Sequence, residues 1–480
     1  MARLIVVSNR VAVPSREGNN QAGGLAVAVR SLLKRHGGLW FGWSGTVAND
    51  DDGAIATRTI RQGGLTYVVA DLAEADYQEY YNGFANRVLW PILHYRLDLA
   101  LFSRRDLSGY RRVNVHFANR LSSLLTPDDI VWVHDYHLIP LAKMLRERGH
   151  HNRIGFFLHV PFPPPEILTA LPHHEWLIPQ LSAYDLAGFQ TENDATNCAR
   201  YLENECRLQK RGAYEFQNGE RTVRLGVFPI GVEAEEFNRL ARRSLRSPLV
   251  QNMVESLAGR AMMIGVDRLD YSKGLAERLD AFERFLATYP DWRGQVTYLQ
   301  ITPKSRSEIQ EYAEMERTIS EAAGRINGTY GEIAWTPIRY VNRAYSRSVL
   351  AGLYRSARAG LVTPLRDGMN LVAKEYIAAQ DHDDPGMLIL SRFAGAAAEL
   401  EAALLVNPYD PETVATSISH ALSMPLEERR ARHKALFQVI SENNLKSWGE
   451  LFIASLTRDA DLPLWHEHLG ILPALGSSIS

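Results

Sequence analysis

The sequence predicts an α/β protein that consists of two doubly wound domains with a deep cleft between them. Short apolar runs alternate with helical patterns along nearly the whole chain. These runs contain few polar residues, which is typical of parallel strands that helices cover on both faces. A charged segment without a strand, residues 233–259, separates two such series, and its arginines fit a solvated helix face. We therefore expect two Rossmann-like sheets.

The predicted strands alternate with predicted helices in both halves. The strands of the first half are expected at residues 4–7, 130–133, 154–158, 186–189 and 223–227. Those of the second half are expected at residues 262–266, 296–301, 361–363, 388–390 and 404–406. Helical patterns cover residues 25–35, 140–148, 275–289, 307–321 and 370–379. We expect an N-terminal domain over residues 1–240, a C-terminal domain over residues 241–455, and a terminal segment, residues 456–480, that packs back on the first domain and ends as a loose tail.

The composition excludes several classes of protein. Of the 480 residues, 46% are hydrophobic and 22% are charged, so a disordered, collagen-like or disulfide-scaffold chain is excluded. The 53 basic residues nearly balance the 55 acidic ones, and a net charge of -2 offers no general attraction to nucleic acid or to an anionic membrane. No apolar run reaches the ~20 residues of a transmembrane helix. The N-terminal ARLIVVSNR is typical of a strand, not of a signal peptide, and we expect a cytoplasmic protein.

The two cysteines are expected to be free thiols. Cys198 and Cys206 lie in a segment with a helical pattern. A helix separates residues at this spacing by about 12 Å, whereas a disulfide needs Cα atoms within about 7 Å.

Charged loops follow the predicted strands. In open parallel sheets, ligands bind beyond the carboxyl ends of the strands. The loops at these ends are residues 8–10, 134–137 and 159–161 in the first half and 267–274, 303–306 and 364–368 in the second. Arg268 and Lys273 lie in one loop, and Gly274 opens the next helix. Two cations beside a helix N-terminus predict a diphosphate site, although two exposed loop cations would give the same pattern.

No metal or other cofactor is expected. The HDYH sequence at residues 134–137 lacks the spacing of a two-histidine metal site and favours a polar sugar site. Asp267 and Asp270 are expected to pair with the adjacent cations instead of binding a metal, and residues 49–52 are expected in a surface turn. The chain has neither a GxGxxG sequence after its first strand nor a GxxxxGK[ST] loop, which weakens a dehydrogenase or P-loop NTPase interpretation.

A series of motifs in one order resembles the trehalose-6-phosphate synthase family, the retaining glycosyltransferases of family 20. The resemblance covers about residues 2–458 and therefore nearly the whole chain. It implies the two-Rossmann architecture called GT-B and the transfer of glucose from UDP-glucose to glucose 6-phosphate. The motifs are VVSNR, AGGL, GLWFGWSG, EYYNGF, LWPILHYR, VWVHDYHL, GFFLHVPFP, GFQTEND, FPIGV, DRLDYSKG, AGRINGTYG, LVTPLRDGMNLVAKEYIAAQ, SRFAGAA and NPYD.

The resemblance also implies roles for individual residues. The phosphate of the acceptor meets Arg10, Tyr81 and Arg306, and its sugar meets Trp90 and Asp135. The residues implied for the donor are Gly23, Gly24, His159, Arg268, Lys273, Tyr345, Asp367, Leu371, Val372 and Glu375. Of these sets, Asp135, His159, Arg268, Lys273 and Asp367 are implied in catalysis. Tyr345 stands where the family has phenylalanine, at a position that contacts uracil through its backbone. We also expect a homo-oligomer, either a dimer or a tetramer.

Two other functions stay open at this point. A catalytically silent sugar-phosphate sensor would keep Arg10 and Arg306 but lose the donor cations, whereas Arg268 and Lys273 are present. A nucleotide-sugar epimerase would need no site for the acceptor phosphate. UDP release that depends on glucose 6-phosphate would exclude the epimerase.

Overall fold

The structure is a computed structural model that describes residues 2–13, 24–48, 57–304 and 310–457. The predicted features outside these ranges are Gly23, Arg306, the acidic run 49–52, the first three residues of the helical pattern at 307–321, and residues 458–480 of the terminal segment. Within the described ranges, no helix is both long enough and apolar enough to cross a membrane.

The first half of the chain forms a sheet of ten described strands. Their spatial order is β3-β4-β2-β1-β5-β6-β7-β10-β9-β8, and the central strands are parallel. The strands are β1 (Leu4–Arg10), β2 (Gly38–Ala48), β3 (Thr57–Gln62), β4 (Leu65–Ala73), β5 (Ile130–His134), β6 (Arg153–Phe157), β7 (Leu186–Phe189), β8 (Gln209–Gly212), β9 (Glu215–Asn218) and β10 (Arg221–Val227).

The second half forms a separate sheet of six described strands, all parallel. Their spatial order is β13-β12-β11-β14-β15-β16. The strands are β11 (Ala261–Val266), β12 (Val296–Ile301), β13 (Ile338–Val341), β14 (Ala359–Val362), β15 (Met387–Ser391) and β16 (Leu404–Val406). The central strands of both sheets are buried on both faces, as near-continuous apolar strands require.

Helices connect the strands in both halves. Those of the first half are α1 (Gly24–His36), α2 (Glu74–Asp76), α3 (Trp90–Leu93), α4 (Arg104–Ser122), α5 (Leu141–Glu147), α6 (Pro165–Leu168), α7 (His174–Leu177) and α8 (Glu192–Asn204), with a π-helical segment at Tyr77–Leu89. Those that follow are α9 (Ala234–Ser244), α10 (Pro248–Glu255), α11 (Leu275–Thr288), α12 (Gln310–Tyr330), α13 (Arg347–Ser356), α14 (Leu371–Ala379), α15 (Pro411–Ser423), α16 (Leu426–Glu442) and α17 (Leu445–Thr457). Short 3₁₀ helices lie at Leu97–Leu99, Tyr136–Leu138, Ile178–Ala183, Tyr271–Lys273, Pro290–Trp292 and Gly395–Ala398.

The structure confirms the predicted fold class, and a strand lies at each of the ten predicted positions. The segment 233–259 contains α9 and α10 and no strand, as expected. Cys198 and Cys206 are both free. The sequence analysis missed β2, β3, β4, β8, β9 and β13. β2 contains three glycines, and β8 is exposed along its length, so neither shows the apolar run that marks a buried strand.

Helix α17 returns to the first sheet. The ring of Phe452 stacks on that of Trp132 in β5, with centroids 4.4 Å apart and planes 9° apart. The Arg224 guanidinium of β10 donates a hydrogen bond to the Ser455 carbonyl over 2.8 Å. The last described helix therefore packs against the N-terminal sheet. The boundaries at residues 240 and 455 stay predictions.

The two chain segments that connect the halves, near residues 231 and 443, contact each other. A Cβ atom on Gly231 would lie 1.9 Å from the carbonyl oxygen of Asn443, so only glycine fits at this contact. Beside it, the fully buried Lys374 ammonium donates to the Ile230 carbonyl over 2.8 Å and to the Glu399 carboxylate over 2.5 Å. These contacts join the two sheets where the chain passes from one to the other.

Candidate active site

Helix α3 and the loops at the carboxyl ends of the strands bring the two halves into contact. The Trp90 indole N–H of the first half lies 3.4 Å from Asp270 Oδ1 of the second. A Cβ atom on Gly368 would lie 2.1 Å from the carbonyl oxygen of His159, so glycine lets the two backbones approach closely. The candidate site is the cleft between these loops, where the strand-end rule places it.

Lys273 and Asp367 form an ion pair on the second sheet's side of the cleft. Lys273 Nζ lies 2.5 Å from Asp367 Oδ2, and both side chains are mostly buried. Asp367 Oδ2 also accepts a hydrogen bond from the Asn370 amide over 3.0 Å. The pair joins the loop after β11 to the loop after β14, which brings two predicted donor residues together.

The Arg278 side chain stabilises the loop that carries Lys273 through hydrogen bonds. This guanidinium is fully buried in α11 and donates to Asp267 Oδ2 over 2.7 Å and to the Lys273 carbonyl over 3.1 Å. It also donates to Thr363 Oγ1 over 2.9 Å. Burial raises the pKa of Asp267 even though Arg278 opposes that rise. The expected pairing of Asp267 with Arg268 or Lys273 is wrong, because the cation nearest to its carboxylate comes from the following helix.

Asp270 is fully buried and accepts hydrogen bonds from its own turn. Its Oδ1 accepts from the Ser272 backbone N–H over 3.0 Å and from the Ser272 hydroxyl over 2.9 Å. Its Oδ2 lies 3.4 Å from the Tyr312 hydroxyl of α12. The turn that carries Lys273 is therefore fixed by bonds to Asp270.

Arg268 is exposed, with its guanidinium carbon 5.8 Å from the centroid of the Trp90 ring. Trp90 is buried and also contacts His94, with ring centroids 4.1 Å apart. Burial lowers the pKa of His94 to about 4, so this imidazole is neutral. An exposed cation over an aromatic ring is held in place yet stays available to an anion.

Asp135 and His159 lie side by side at the ends of β5 and β6. Asp135 has a left-handed φ of 76°, which is uncommon for a residue with a side chain. Its Oδ1 accepts from the Tyr136 backbone N–H over 3.2 Å and from the His159 backbone N–H over 3.4 Å. Strained backbone of this kind clusters at functional sites.

The predicted acceptor residues Arg10 and Tyr81 contact the same aromatic ring. The guanidinium carbon of Arg10 lies 5.9 Å from the ring of Trp43, and the ring of Tyr81 lies 5.4 Å from it. Arg10 is exposed at the end of β1. Trp43 was not predicted as a site residue, because the GLWFGWSG motif that contains it was read only as part of the resemblance.

The remaining donor residues surround the start of α14. Leu371 and Val372 form its first turn, and Asn370 precedes it with a φ of 78° while its side chain accepts from the Ala373 backbone N–H over 3.2 Å. Glu375 lies 3.5 Å from Arg347, and burial raises the pKa of its carboxyl group. Tyr345 lies before α13, half-buried, and Gly24 is the first residue of α1.

Metal-ligating side chains are not grouped in the described ranges. Neither the aspartates beside Lys273 nor the histidines at the ends of β5 and β6 form a cluster of three or more ligands there. Two residues that position the site, His94 and Arg278, were missed, and His134 was predicted only as part of the HDYH sequence. His94 follows an apolar segment, whereas Arg278 stands among charged residues and gave no such signal.

Comparisons with known proteins give matches over nearly the whole chain. The sequence model of the family described as Glycosyltransferase family 20 matches residues 2–458. A protein named trehalose-6-phosphate synthase from Sinorhizobium fredii is 53% identical over 462 residues, which are 96% of this chain and 99% of that protein.

Two solved structures have the same fold. One is a UDP-forming α,α-trehalose-phosphate synthase from Burkholderia xenovorans in complex with glucose-6-phosphate, with a TM-score of 0.91, 47% identity and coverage of 95% of this chain and 100% of that one. The other comes from E. coli, has UDP-2-fluoro glucose bound, and gives a TM-score of 0.90 at 48% identity over 95% of this chain and 99% of that one.

Proposed function

Because this chain belongs to glycosyltransferase family 20, we propose that it transfers glucose from UDP-glucose to glucose 6-phosphate with retention, forming α,α-trehalose 6-phosphate and UDP. Its fold is the predicted GT-B architecture. One observation carries the proposal: the Lys273–Asp367 pair lies on one wall of a cleft whose other wall carries Asp135 and His159. The Lys273 ammonium is thus on the wall opposite the residues proposed to bind sugar.

On the donor side, positive groups stabilise the leaving UDP. Negative charge develops on the diphosphate as the glycosidic bond breaks, and donors that are already in position there lower the barrier. Lys273 and the exposed Arg268 supply charge, while the N-terminus of α14 supplies backbone N–H groups from Leu371 and Val372. Gly23 and Gly24 allow the diphosphate to approach the backbone, and Glu375 and Tyr345 contact the nucleoside.

On the acceptor side, the phosphate of glucose 6-phosphate binds Arg10 and Tyr81, which share contacts with Trp43. Arg306 is the third predicted phosphate ligand. Asp135 and Trp90 hold the acceptor sugar, and His159 and Asp367 contact the glucose that is transferred. In this proposal the acceptor hydroxyl lies beside the leaving diphosphate.

Retention proceeds by attack on the same face of the sugar. Retaining glycosidases use a carboxylate nucleophile about 5 Å from the acid. Asp135 accepts two backbone N–H groups and Asp367 is paired with Lys273, so neither is a ready nucleophile. The leaving phosphate oxygen takes the proton of the acceptor hydroxyl as that hydroxyl attacks.

The test is to incubate the purified chain with UDP-, GDP- and ADP-glucose, each with and without glucose 6-phosphate, and to identify the products. We expect α,α-trehalose 6-phosphate and UDP, with UDP release only when glucose 6-phosphate is present. Sugar epimerisation without an acceptor would contradict the proposal and favour an epimerase. Ligand binding without any turnover would favour a sensor.

Replacing Arg10 with alanine is expected to raise the KM for glucose 6-phosphate more than that for UDP-glucose. A hydrogen bond to a charged group contributes roughly 1.5–3 kcal/mol, which corresponds to an increase of about 10- to 100-fold. Steady-state kinetics with each substrate varied in turn measures the difference. The matched control is Arg61→Ala in β3, also an exposed arginine of the first sheet.

A proportional rise in both KM values, or equal activity of the wild type with unphosphorylated glucose, would remove Arg10 from the phosphate site. Arg306→Ala is expected to have the same selective effect as Arg10→Ala.

Catalysis is expected to need no divalent metal. A metal-dependent transferase would hold Mg²⁺ through carboxylates beside the diphosphate. The carboxylates nearest to Lys273 are already paired with cations of the protein. Asp267 pairs with Arg278, and Asp367 pairs with Lys273 itself. Activity is measured after exhaustive dialysis against EDTA and again after Mg²⁺ is added. Near-complete loss that Mg²⁺ restores would show that cations of the protein do not replace the metal.

We further propose that the chain acts in the cytoplasm as a homo-oligomer, a dimer or a tetramer. Both substrates are charged phosphate esters, which do not cross membranes unaided, so an enzyme that uses them works where they are made. Light scattering of the purified chain measures the number of subunits.

A further inference from the structure

His134, the last residue of β5, is a fully buried histidine behind the cleft. Its ring lies 4.6 Å from that of Trp132 and 6.3 Å from that of Trp448 in α17. On its other side the ring stacks on His159, with centroids 5.3 Å apart and planes 23° apart. Nδ1 of His134 lies 3.0 Å from Nε2 of His159. His134 therefore contacts the imidazole that is proposed to meet the transferred glucose.

Both imidazoles are neutral. Burial lowers the pKa of His159 to about 3, and burial with the neighbouring His159 lowers that of His134 well below its usual range. Among the described residues, no carboxylate contributes to either shift. A neutral imidazole carries one proton, on Nδ1 or on Nε2. Two ring nitrogens 3.0 Å apart are at hydrogen-bond distance, which requires one donor and one acceptor, so the contact contains one proton that belongs to one ring or the other.

The second nitrogen of His134 decides between the two arrangements. Within the described residues, Nε2 of His134 is buried and has no hydrogen-bond partner. If His159 donated to His134 Nδ1, the proton of His134 would lie on Nε2 as a buried N–H without an acceptor. Orphaned buried N–H groups are rarer than under-satisfied acceptors. A proton on Nδ1 of His134 leaves Nε2 as a bare acceptor, so no buried N–H of this ring lacks a partner.

We propose that His134 is a positioning residue that donates from Nδ1 to Nε2 of His159 and so keeps the proton of His159 on its own Nδ1. His159 then presents an N–H donor, not a lone pair, to an oxygen of the transferred glucose. This inference rests on the proposed function, because it takes His159 to contact that sugar. It parallels metal sites, where the bond made by one ring nitrogen selects the state of the other.

The direct test is nitrogen NMR of the wild-type chain with ¹⁵N-labelled histidine, because protonated and bare imidazole nitrogens resonate far apart. Spectra of His134→Asn and His159→Asn assign the two rings. We expect a protonated Nδ1 and a bare Nε2 on both rings. A protonated Nε2 on His134 would overturn the proposal, and this measurement does not depend on any variant's being active.

Kinetics supply the functional test. In His134→Leu we expect kcat to fall roughly 3- to 10-fold, the value of one hydrogen bond, with the KM for glucose 6-phosphate unchanged. His134→Asn places an amide N–H near the position of Nδ1 and should recover at least half of the lost kcat. The matched control is His433→Leu, because His433 is also buried and its Nε2 lies 3.2 Å from the Ile377 carbonyl, away from His159. We expect His433→Leu to lower the melting temperature without a specific effect on the kinetics of the donor.

Donor analogues separate positioning from structure. UDP-glucose with single sugar hydroxyls replaced by hydrogen is assayed with the wild type and with His134→Leu. For one analogue we expect the fall in kcat, relative to UDP-glucose, to be smaller in His134→Leu than in the wild type. The hydrogen bond from His159 to that sugar oxygen is already missing in the variant. Equal losses for every analogue would overturn the proposal. If the wild type makes no trehalose 6-phosphate, the proposed function fails instead, whatever the NMR shows.

Discussion

Lys273→Ala is expected to lower kcat by about 10²- to 10³-fold, the usual effect of removing one donor that stabilises charge in a transition state. Lys273 Nζ pairs with Asp367, and both side chains are mostly buried. When UDP leaves, the ammonium meets negative charge that grows during the reaction. It therefore stabilises the transition state more than the bound substrate, and such an interaction raises kcat.

The change also leaves Asp367 without its cation, so folding must be measured together with kcat. Circular dichroism and the melting temperature report on folding, and Lys273→Gln keeps a donor of similar length without the charge. The control is Lys143→Ala in α5, an exposed lysine that pairs with Glu147 over 3.7 Å. Wild-type kcat in a folded Lys273→Ala protein would contradict the assignment of Lys273 to the leaving group.

The sequence was sufficient to predict the fold and the cleft, because both depend on patterns that repeat. Buried parallel strands form apolar runs, and the side chains beyond their carboxyl ends face the ligand. Asp135, His159, Lys273 and Asp367 all follow such runs, and the structure places them on the two walls of one cleft. Their roles in binding and catalysis stay predictions, since they were inferred from resemblance.

The partners of these residues could not be predicted, because they come from other parts of the chain. Lys273 pairs with an aspartate 94 positions later, and Asp267 pairs with an arginine inside a helix instead of the cations beside it in sequence. Arg278 lies on an otherwise apolar face of α11. From the sequence alone, a single arginine in a helix is expected to be exposed. Three-dimensional contacts of this kind leave no periodic signal.

Arg278→Met is expected to destabilise the chain by about 3–5 kcal/mol, because it leaves the buried Asp267 carboxylate without its principal cation. Arg278 is fully buried and also donates to Thr363 and to the Lys273 carbonyl. Urea unfolding, followed in parallel by circular dichroism and by hydrogen exchange of α11, measures the loss. The control is Arg284→Met on the same helix, an exposed arginine 3.3 Å from Glu412, for which we expect at most about 1 kcal/mol.

The loss should depend on pH in a direction that identifies its cause. Burial already raises the pKa of Asp267, and removing Arg278 raises it further. A carboxyl group with a raised pKa in the folded state favours folding when it is protonated, so the deficit of Arg278→Met should shrink as the pH falls towards 5 and grow as the pH rises towards 8. Adding Asp267→Asn removes the buried charge and should abolish that pH dependence while recovering part of the stability. A deficit that stays the same at every pH, with or without Asp267→Asn, would mean that Arg278 stabilises this loop through packing and its other hydrogen bonds, not through its charge.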